Sequence, residues 1–414
     1  MKKALFLLQP DAMVGEPQSQ PTGRTPHITI HAFCESPEVI ALMRAAATDR
    51  RLSRADAVVS SGGIRAAIAF CGDHPTPDLL VLESNAARAE LLADMNALAP
   101  VCDAKTKVVV IGSSNDIALY REMVANGVAE YLVAPVDVLA IIRTVLQLFR
   151  KEDAPRTGKI CAFIGAKGGV GSSTIAQNVA WTMAQRRSAV MLADMDLLFG
   201  TVALNYNIES HTGFAEQLRD VDRLDEAVLD RLLFKHGTHL SVLPSATTAQ
   251  ETAEPGPNVL DKMFDLAQTT FPFVVLDLPH GWSTWVRGSL LAADEIVLTA
   301  EPDLANLRNA RCMLDLLKQA RPNDPQPRLV LNRVGMQGRN EIQAQKFAAA
   351  LEIELAAKIA FAPGVFSTAA NTGKMIVEVS RRDLAGKAFD QLAVSLTGKI
   401  APRKQHGLKR FWNG

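Results

Sequence analysis

The chain has 414 residues, equal numbers of basic and acidic side chains, 48% hydrophobic and 21% charged residues, so it is long enough for two packed cores of ordinary globular composition. A formal net charge of zero gives no overall drive toward nucleic acid, and five cysteines without a CxxC pair exclude a zinc or iron–sulfur framework and fit a reducing cytoplasm. No apolar run approaches the length that spans a bilayer, and the stretch Ala4–Leu8 after Lys2 and Lys3 is too short for a secretory signal, so any membrane contact is expected to be peripheral. Residues 1–26 read as a flexible leader, its part from residue 9 rich in Pro, Gly, Gln and Ser. From 27 to 150 strand and helix patterns alternate. Apolar strands are predicted at 28–33, around 55–61, and at 77–84, 107–114 and 129–135, each followed by a helical pattern. Five such units with fully apolar strands predict a parallel sheet covered on both faces. Residues 151–158, charged and carrying Pro155 and Gly158, read as a linker.

The stretch Asn126–Pro135, reading NGVAEYLVAP, resembles the end of a response-regulator receiver domain, and the number of units agrees. The resemblance implies an Asp nucleophile ending the third strand, where the chain has Glu83. It implies an acidic pair after the first strand, where Cys34-Glu35 stands, and a lysine before the proline, where Ala134 stands. The hydroxyl after the fourth strand survives as Ser113 or Ser114. With most of the phosphotransfer set missing, 27–150 is read as an atypical receiver-like domain that takes no phosphate and serves interaction or dimerisation. An unrelated flavodoxin-like domain is the alternative.

The second domain is expected to span 159–401. An apolar strand, Ile160–Ile164, runs into Gly165–Thr174, GAKGGVGSST, and a helical pattern follows. Strand, glycine-rich turn and helix form the context of a phosphate-binding loop, in which backbone N–H groups and a helix N-terminus converge on one anion. The usual loop ends Gly-Lys-Ser/Thr, whereas here Gly171 is followed by Ser172, Ser173 and Thr174, and the one lysine, Lys167, comes early. A strand within 188–200 ends at Asp194-Met195-Asp196. An Asp there either serves phosphate chemistry or caps a turn. Helices are read over 210–233, a strand at 239–246 and a helix from 259 to 270. Phe273–Leu276 ends in Asp277, a Walker B pattern that sets a carboxylate where it can hold a magnesium water shell while Ser173 ligates the ion. His280 follows in a turn, either facing phosphate or unengaged. Strands at 293–300, 328–334 and 358–364 and a final helix complete the domain. The tail 402–414 mixes Arg403, Lys404, Lys409 and Arg410 with Phe411 and Trp412, and fits either a contact with an anionic membrane or a solvated tail.

The early-lysine loop resembles the deviant Walker A motif of the MinD/ParA ATPases. This resemblance implies an α/β P-loop fold with a mainly parallel sheet, and ATP with Mg2+ as ligands. It further implies that Lys167 reaches the partner's nucleotide in a homodimer and that Asp196 orients the attacking water. Phosphate falls to Gly168, Gly169, Val170, Gly171, Ser172, Ser173 and Thr174, and the metal to Ser173 and Asp277. Asn332 is implied to bind adenine, and the loop 362–373, with Pro363, to line the base. A receiver-like domain ahead of such an ATPase, the GSST loop ending and the stretch LPHGWSTWVRGSLLAADEIVLTAEPDLANLRNA (278–310) together resemble the CpaE/TadZ proteins. That resemblance implies a factor that localises the Tad (Flp) pilus secretion machinery, placed in the cytoplasm at the cell pole near the inner membrane, with pilus components as partners and no nucleic-acid partner, while the loop lysine missing at Ser172 implies weak ATPase activity at most. A ParA-like DNA or cargo partitioning ATPase and a nucleotide-free scaffold remain the alternatives.

Overall fold

The computed structural model describes residues 21–150, 158–209, 224–245 and 255–398. The first half forms a parallel sheet of β1 (Ile28–Cys34), β2 (Ala55–Ser61), β3 (Leu79–Ser84), β4 (Lys107–Gly112) and β5 (Glu130–Val133), in the order β2-β1-β3-β4-β5. The central strand β3 is buried along its whole length, while the edge strand β2 leaves Val58 open. Helices on both faces complete two cores: Ile30, Val81 and Ile142 share one, and Phe33, Leu82 and Met123 the other. This doubly wound α/β body is the receiver-like fold expected from the sequence.

The second half is built on eight strands: β6 (Lys159–Gly165), β7 (Val190–Asp194), β8 (Phe234–His236), β9 (Leu240–Leu243), β10 (Phe273–Asp277), β11 (Glu295–Ala300), β12 (Arg328–Val334) and β13 (Leu355–Ala360). Their order is β13-β12-β11-β6-β10-β7-β9-β8, with every pairing parallel except β8 on β9. The strands β6, β7 and β10 lie at the centre, and β7 and β10 are buried at every residue. Parallel strands reached by crossover helices must be apolar on both faces, which is why these segments read as continuous hydrophobic runs. All three central strands end on the same edge, the usual place for a ligand site in an open α/β sheet.

Several local expectations are corrected. Residues 362–373 are not a loop: Pro363–Thr372 is a helix, started by Pro363 and closed by Gly373 at φ +61°. The last strand begins earlier than read, at Leu355. The helices Thr284–Ala292 and Ala344–Leu351 and the edge strand β8 were not anticipated. Within 210–233 the described helix is Glu226–Leu232, and the rest of that reading, 210–223, lies outside the described residues. Residues 1–20 of the leader, 151–157 of the linker and the tail 402–414 also lie outside them. The end of the expected leader is packed: Thr25 is buried, and Arg24 pairs with Asp261 of the helix Pro257–Thr270. Among the described residues no helix is long and apolar enough to cross a membrane.

The two halves meet through a buried charge cluster. Arg50 and Arg51, in the turn before β2, enter the region after the helix Leu304–Ala320. Arg50 donates from Nε to Asp324 at 2.7 Å and from Nη1 to the Ala292 carbonyl at 3.4 Å, and Arg51 also pairs with Asp324. Arg321 reaches the same carboxylate at 2.8 Å, Asp49 accepts from Arg51 Nη1 at 2.9 Å, and Asp294 lies 3.5 Å from Arg50.

Candidate functional site

β6 delivers the chain into the loop at the centre of the sheet edge, and the helix Ser172–Gln185 takes it away. Gly171, the residue before this helix, has φ +90°, and a Cβ there would lie 2.5 Å from Asn332 Nδ2. Only glycine holds this backbone conformation and admits Asn332 so closely. Asn332, buried at the end of β12, donates from Nδ2 to the Val170 carbonyl at 2.8 Å and accepts the Arg333 N–H on Oδ1 at 2.9 Å. Its amide is therefore engaged with the loop's own backbone.

Two cavities meet at this loop. The larger, of about 700 Å³, is lined by residues 167–174 together with Asp196, His280 and Arg333 among others. The smaller, of about 250 Å³, lies between Asn332, Phe361, Pro363, Phe366 and Met375. Gly171, Thr174 and Arg333 line both. All the residues expected to hold phosphate (Gly168, Gly169, Val170, Gly171, Ser172, Ser173, Thr174) thus face the first cavity, and Asn332 and Pro363 face the second. Lys167 is exposed on the wall of the first and makes no ion pair among the described residues.

The acids separate by burial. Parallel register sets Asp277 beside Asp194. Burial pushes the Asp194 carboxyl up to about 6, although it accepts N–H bonds from Val202 at 3.1 Å and Asp196 at 3.2 Å and a hydroxyl bond from Ser245 at 3.2 Å. Burial and the neighbouring Asp194 push Asp277 well above the usual carboxylate range, with Ser173 and Gln177 offsetting part of the rise. Asp277 Oδ1 and the Ser172 hydroxyl are buried without a hydrogen-bond partner. Asp196 is half-buried, and its Oδ1 accepts from the Phe199 N–H at 3.0 Å, capping the turn while the residue still lines the cavity. Two adjacent buried carboxylates with an orphaned oxygen fit a divalent cation nearby, which would favour their charged forms. Among the described residues no cluster of three or more His, Cys, Asp or Glu forms a metal cage.

His280 lines the cavity and bonds the Gly165 carbonyl at 3.0 Å through Nδ1. Arg333 and Asn178 were not singled out from the sequence, and Asp194 was named only as the first acid of Asp194-Met195-Asp196. Asn178 ties the loop helix to the far wall, donating to the Thr174 carbonyl at 2.8 Å and accepting the Ile376 N–H at 2.8 Å. Asp194 is the last residue of β7 and Asp196 follows two positions on, and the sequence alone does not tell which of the two is buried.

In the first half, Glu83 fills the place of the receiver nucleophile. Its Oε2 accepts the N–H groups of Glu35 and Ser36 at 2.8 and 2.9 Å, and its Oε1 the Ser36 hydroxyl at 2.6 Å. The carboxylate is spent on fixing the turn after β1.

Residues 158–325 match the family model of an AAA domain. The chain is 24% identical over 250 residues to the septum site-determining protein MinD of Bacillus subtilis (strain 168), covering 59% of this chain and 91% of that one. It is 48% identical to the solved pilus assembly protein CpaE from Caulobacter crescentus CB15, covering 31% of this chain, in its N-terminal part, and 98% of that one, with a TM-score of 0.31. Here the sequence identity over nearly all of the matched chain carries the relationship. The septum site-determining protein MinD from Pyrococcus horikoshii OT3, solved complexed with Mg-ADP, is 20% identical at a TM-score of 0.51, covers 58% of this chain and 96% of that one, and shares the fold.

Proposed function

We propose that this chain, which belongs to the CpaE-like MinD/ParA family of ATPases, is an ATP-dependent factor that positions the Tad (Flp) pilus secretion machinery at the cell pole, near the inner membrane, and acts as a nucleotide-linked homodimer. The observation that carries this reading is the pair of cavities joined at Gly171, one walled by the glycine-rich loop and one by Asn332 and Pro363. Their union suits an elongated ligand with a polyanionic end and a flat apolar end.

Backbone N–H groups of Gly168, Gly169, Val170, Gly171, Ser172, Ser173 and Thr174 would bind the phosphates, aided by the N-terminus of the helix Ser172–Gln185. Ser173 and Asp277 would hold Mg2+, which when bound supplies positive charge to the transferring phosphoryl group. Asp196, which lines the cavity, would accept a hydrogen bond from a water there. Asn332 acts here first by fixing Val170, and its remaining amide hydrogen is the one available to a base. Lys167, exposed on the cavity wall, would reach the nucleotide of a partner subunit. With Ser172 in place of the usual lysine, the loop lacks a cation at the position where charge develops, which lowers rate by roughly 100-fold to 1,000-fold. Slow turnover fits a positioning switch better than a steady motor. The first half, with Glu83 committed to its own turn, serves as an interaction or targeting body and takes no phosphate.

Calorimetry with Mg-ATP, paired with sedimentation of the same protein with and without ATP, tests this. Binding coupled to dimerisation is the expected result. Absence of binding would leave a scaffold that keeps the ATPase fold only for its surfaces.

A further inference from the structure

Arg333 is the one charged side chain that lines both cavities among the described residues. It follows Asn332 at the end of β12 and has φ +54°, a left-handed conformation that bulky residues seldom adopt. The bond from its N–H to Asn332 Oδ1 at 2.9 Å maintains this conformation. Non-glycine residues held this way concentrate at ligand sites, where the surrounding structure enforces them. The guanidinium is part exposed and donates from Nη1 to Glu301 at 2.8 Å. Glu301 has a second cation, Arg339, at 2.5 Å, and Arg339 also pairs with Asp303. Glu301 therefore keeps a charge partner if the Arg333 guanidinium turns toward a ligand.

On the loop that Asn332 holds through Val170, the position that ordinarily carries the lysine is Ser172, whose hydroxyl is buried and unpartnered. The loop thus offers backbone donors and the outward Lys167, but no fixed cation of its own beside them. We infer that Arg333 supplies a cation in cis at a different point from the missing loop lysine, binding the phosphate next to the ribose where a nucleotide passes from the loop cavity into the base cavity. An arginine suits this place because its planar fork can give two hydrogen bonds to phosphate while one nitrogen stays on Glu301. The inference rests on the nucleotide reading above and adds to it a residue that sets affinity for the phosphate adjoining the ribose.

The test is calorimetry of the full chain with Mg-ATP, Mg-ADP, AMP and adenosine. The variants are Arg333→Gln, Arg333→Lys and, as a control on the ion-pair network, Arg339→Gln. Charge-assisted bonds of this type correspond to roughly tenfold to hundredfold in affinity. Arg333→Gln is expected to weaken ATP, ADP and AMP by the same factor in that range and to leave adenosine unchanged. Arg333→Lys should lose less, and Arg339→Gln should bind as the parent does. Unchanged ATP and ADP binding in Arg333→Gln overturns the inference, as does a loss confined to ATP, which would place the contact at the terminal phosphate. An equal loss in Arg339→Gln, or an equal loss for adenosine, assigns the effect to structure and also overturns it. A parent that binds none of these ligands removes the nucleotide reading itself, and the inference with it.

Discussion

Replacing Asp324 by Asn should separate the energetics of the two halves from those of either core. Three guanidiniums, Arg50, Arg51 and Arg321, converge on this carboxylate, and all four side chains are at most 6% exposed. Asp49 and Asp294 balance the remaining charge, so three cations face three carboxylates. Asp324→Asn keeps the shape but leaves one buried positive charge without a counter-charge. Summing the charge-assisted bonds would overstate the loss, since every member was desolvated on folding. Breaking one partner of a buried pair is measured at about 3–5 kcal/mol, and that is the expected loss. Urea denaturation followed by circular dichroism at neutral pH reads it directly. A double variant that also carries Arg51→Met should recover part of the loss, because it removes the orphaned cation. Burial alone would raise the Asp324 carboxyl, but Arg50, Arg321 and Arg51 outweigh it and hold it below the ordinary value. A carboxylate depressed in the folded state stabilises above its unfolded value of about 3.9 and loses this contribution as pH falls through the folded value. The gap between parent and Asp324→Asn should therefore be full at pH 6 and narrow below about pH 4. Asp294 is shifted upward by burial, but it is present in both proteins and drops out of the comparison. A loss under about 1 kcal/mol at neutral pH, the range of exposed pairs, would refute the view that this cluster locks the halves together.

Three further outcomes concern the nucleotide site. Lys167→Ala should leave Mg-ATP binding within a few-fold of the parent and abolish ATP-linked dimerisation in sedimentation; a variant that still dimerises with ATP would remove Lys167 from the interface. Asp196→Ala should bind Mg-ATP normally and lose residual phosphate release, and turnover at the parent rate would assign Asp196 to capping Phe199 alone. Ser172→Lys restores the missing cation in place of an unpartnered buried hydroxyl and should raise hydrolysis by roughly tenfold or more, a gain that colourimetric phosphate release would detect and whose absence would show that slow turnover has another source.

Much of the fold was legible because parallel strands buried on both faces leave continuous apolar runs. The strands β3 and β4 of the first half and β6, β7 and β10 of the second announce themselves this way. The phosphate loop was legible because its chemistry is local: glycines, a preceding strand and a following helix lie within one stretch of chain. The helix Pro363–Thr372 was not, because its short sequence of small and hydroxyl residues carries little periodicity and gains its place by packing beside Met375 and the base cavity. The edge strand β8, three residues long, exists only because β9 is there to pair with it.

The sequence by itself therefore determined two α/β bodies, the order of their strands' apolar segments, a glycine-rich loop after a strand with Ser172 at the usual lysine position, and a first half with Glu83 and Ala134 where the receiver resemblance implies an Asp and a Lys. Tertiary structure decided how those pieces are used. It chose Asp194 over Asp196 as the buried acid, since parallel register places Asp194 beside Asp277 in the sheet. It turned the Asn332 amide onto Val170, brought Arg333 to the junction of two cavities, and gathered Arg50, Arg51, Arg321 and Asp324 from opposite halves of the chain. Such pairings depend on distances through space between residues as many as 274 positions apart. Side-chain periodicity reports only which face a residue takes, and carries no information about the partner it meets there.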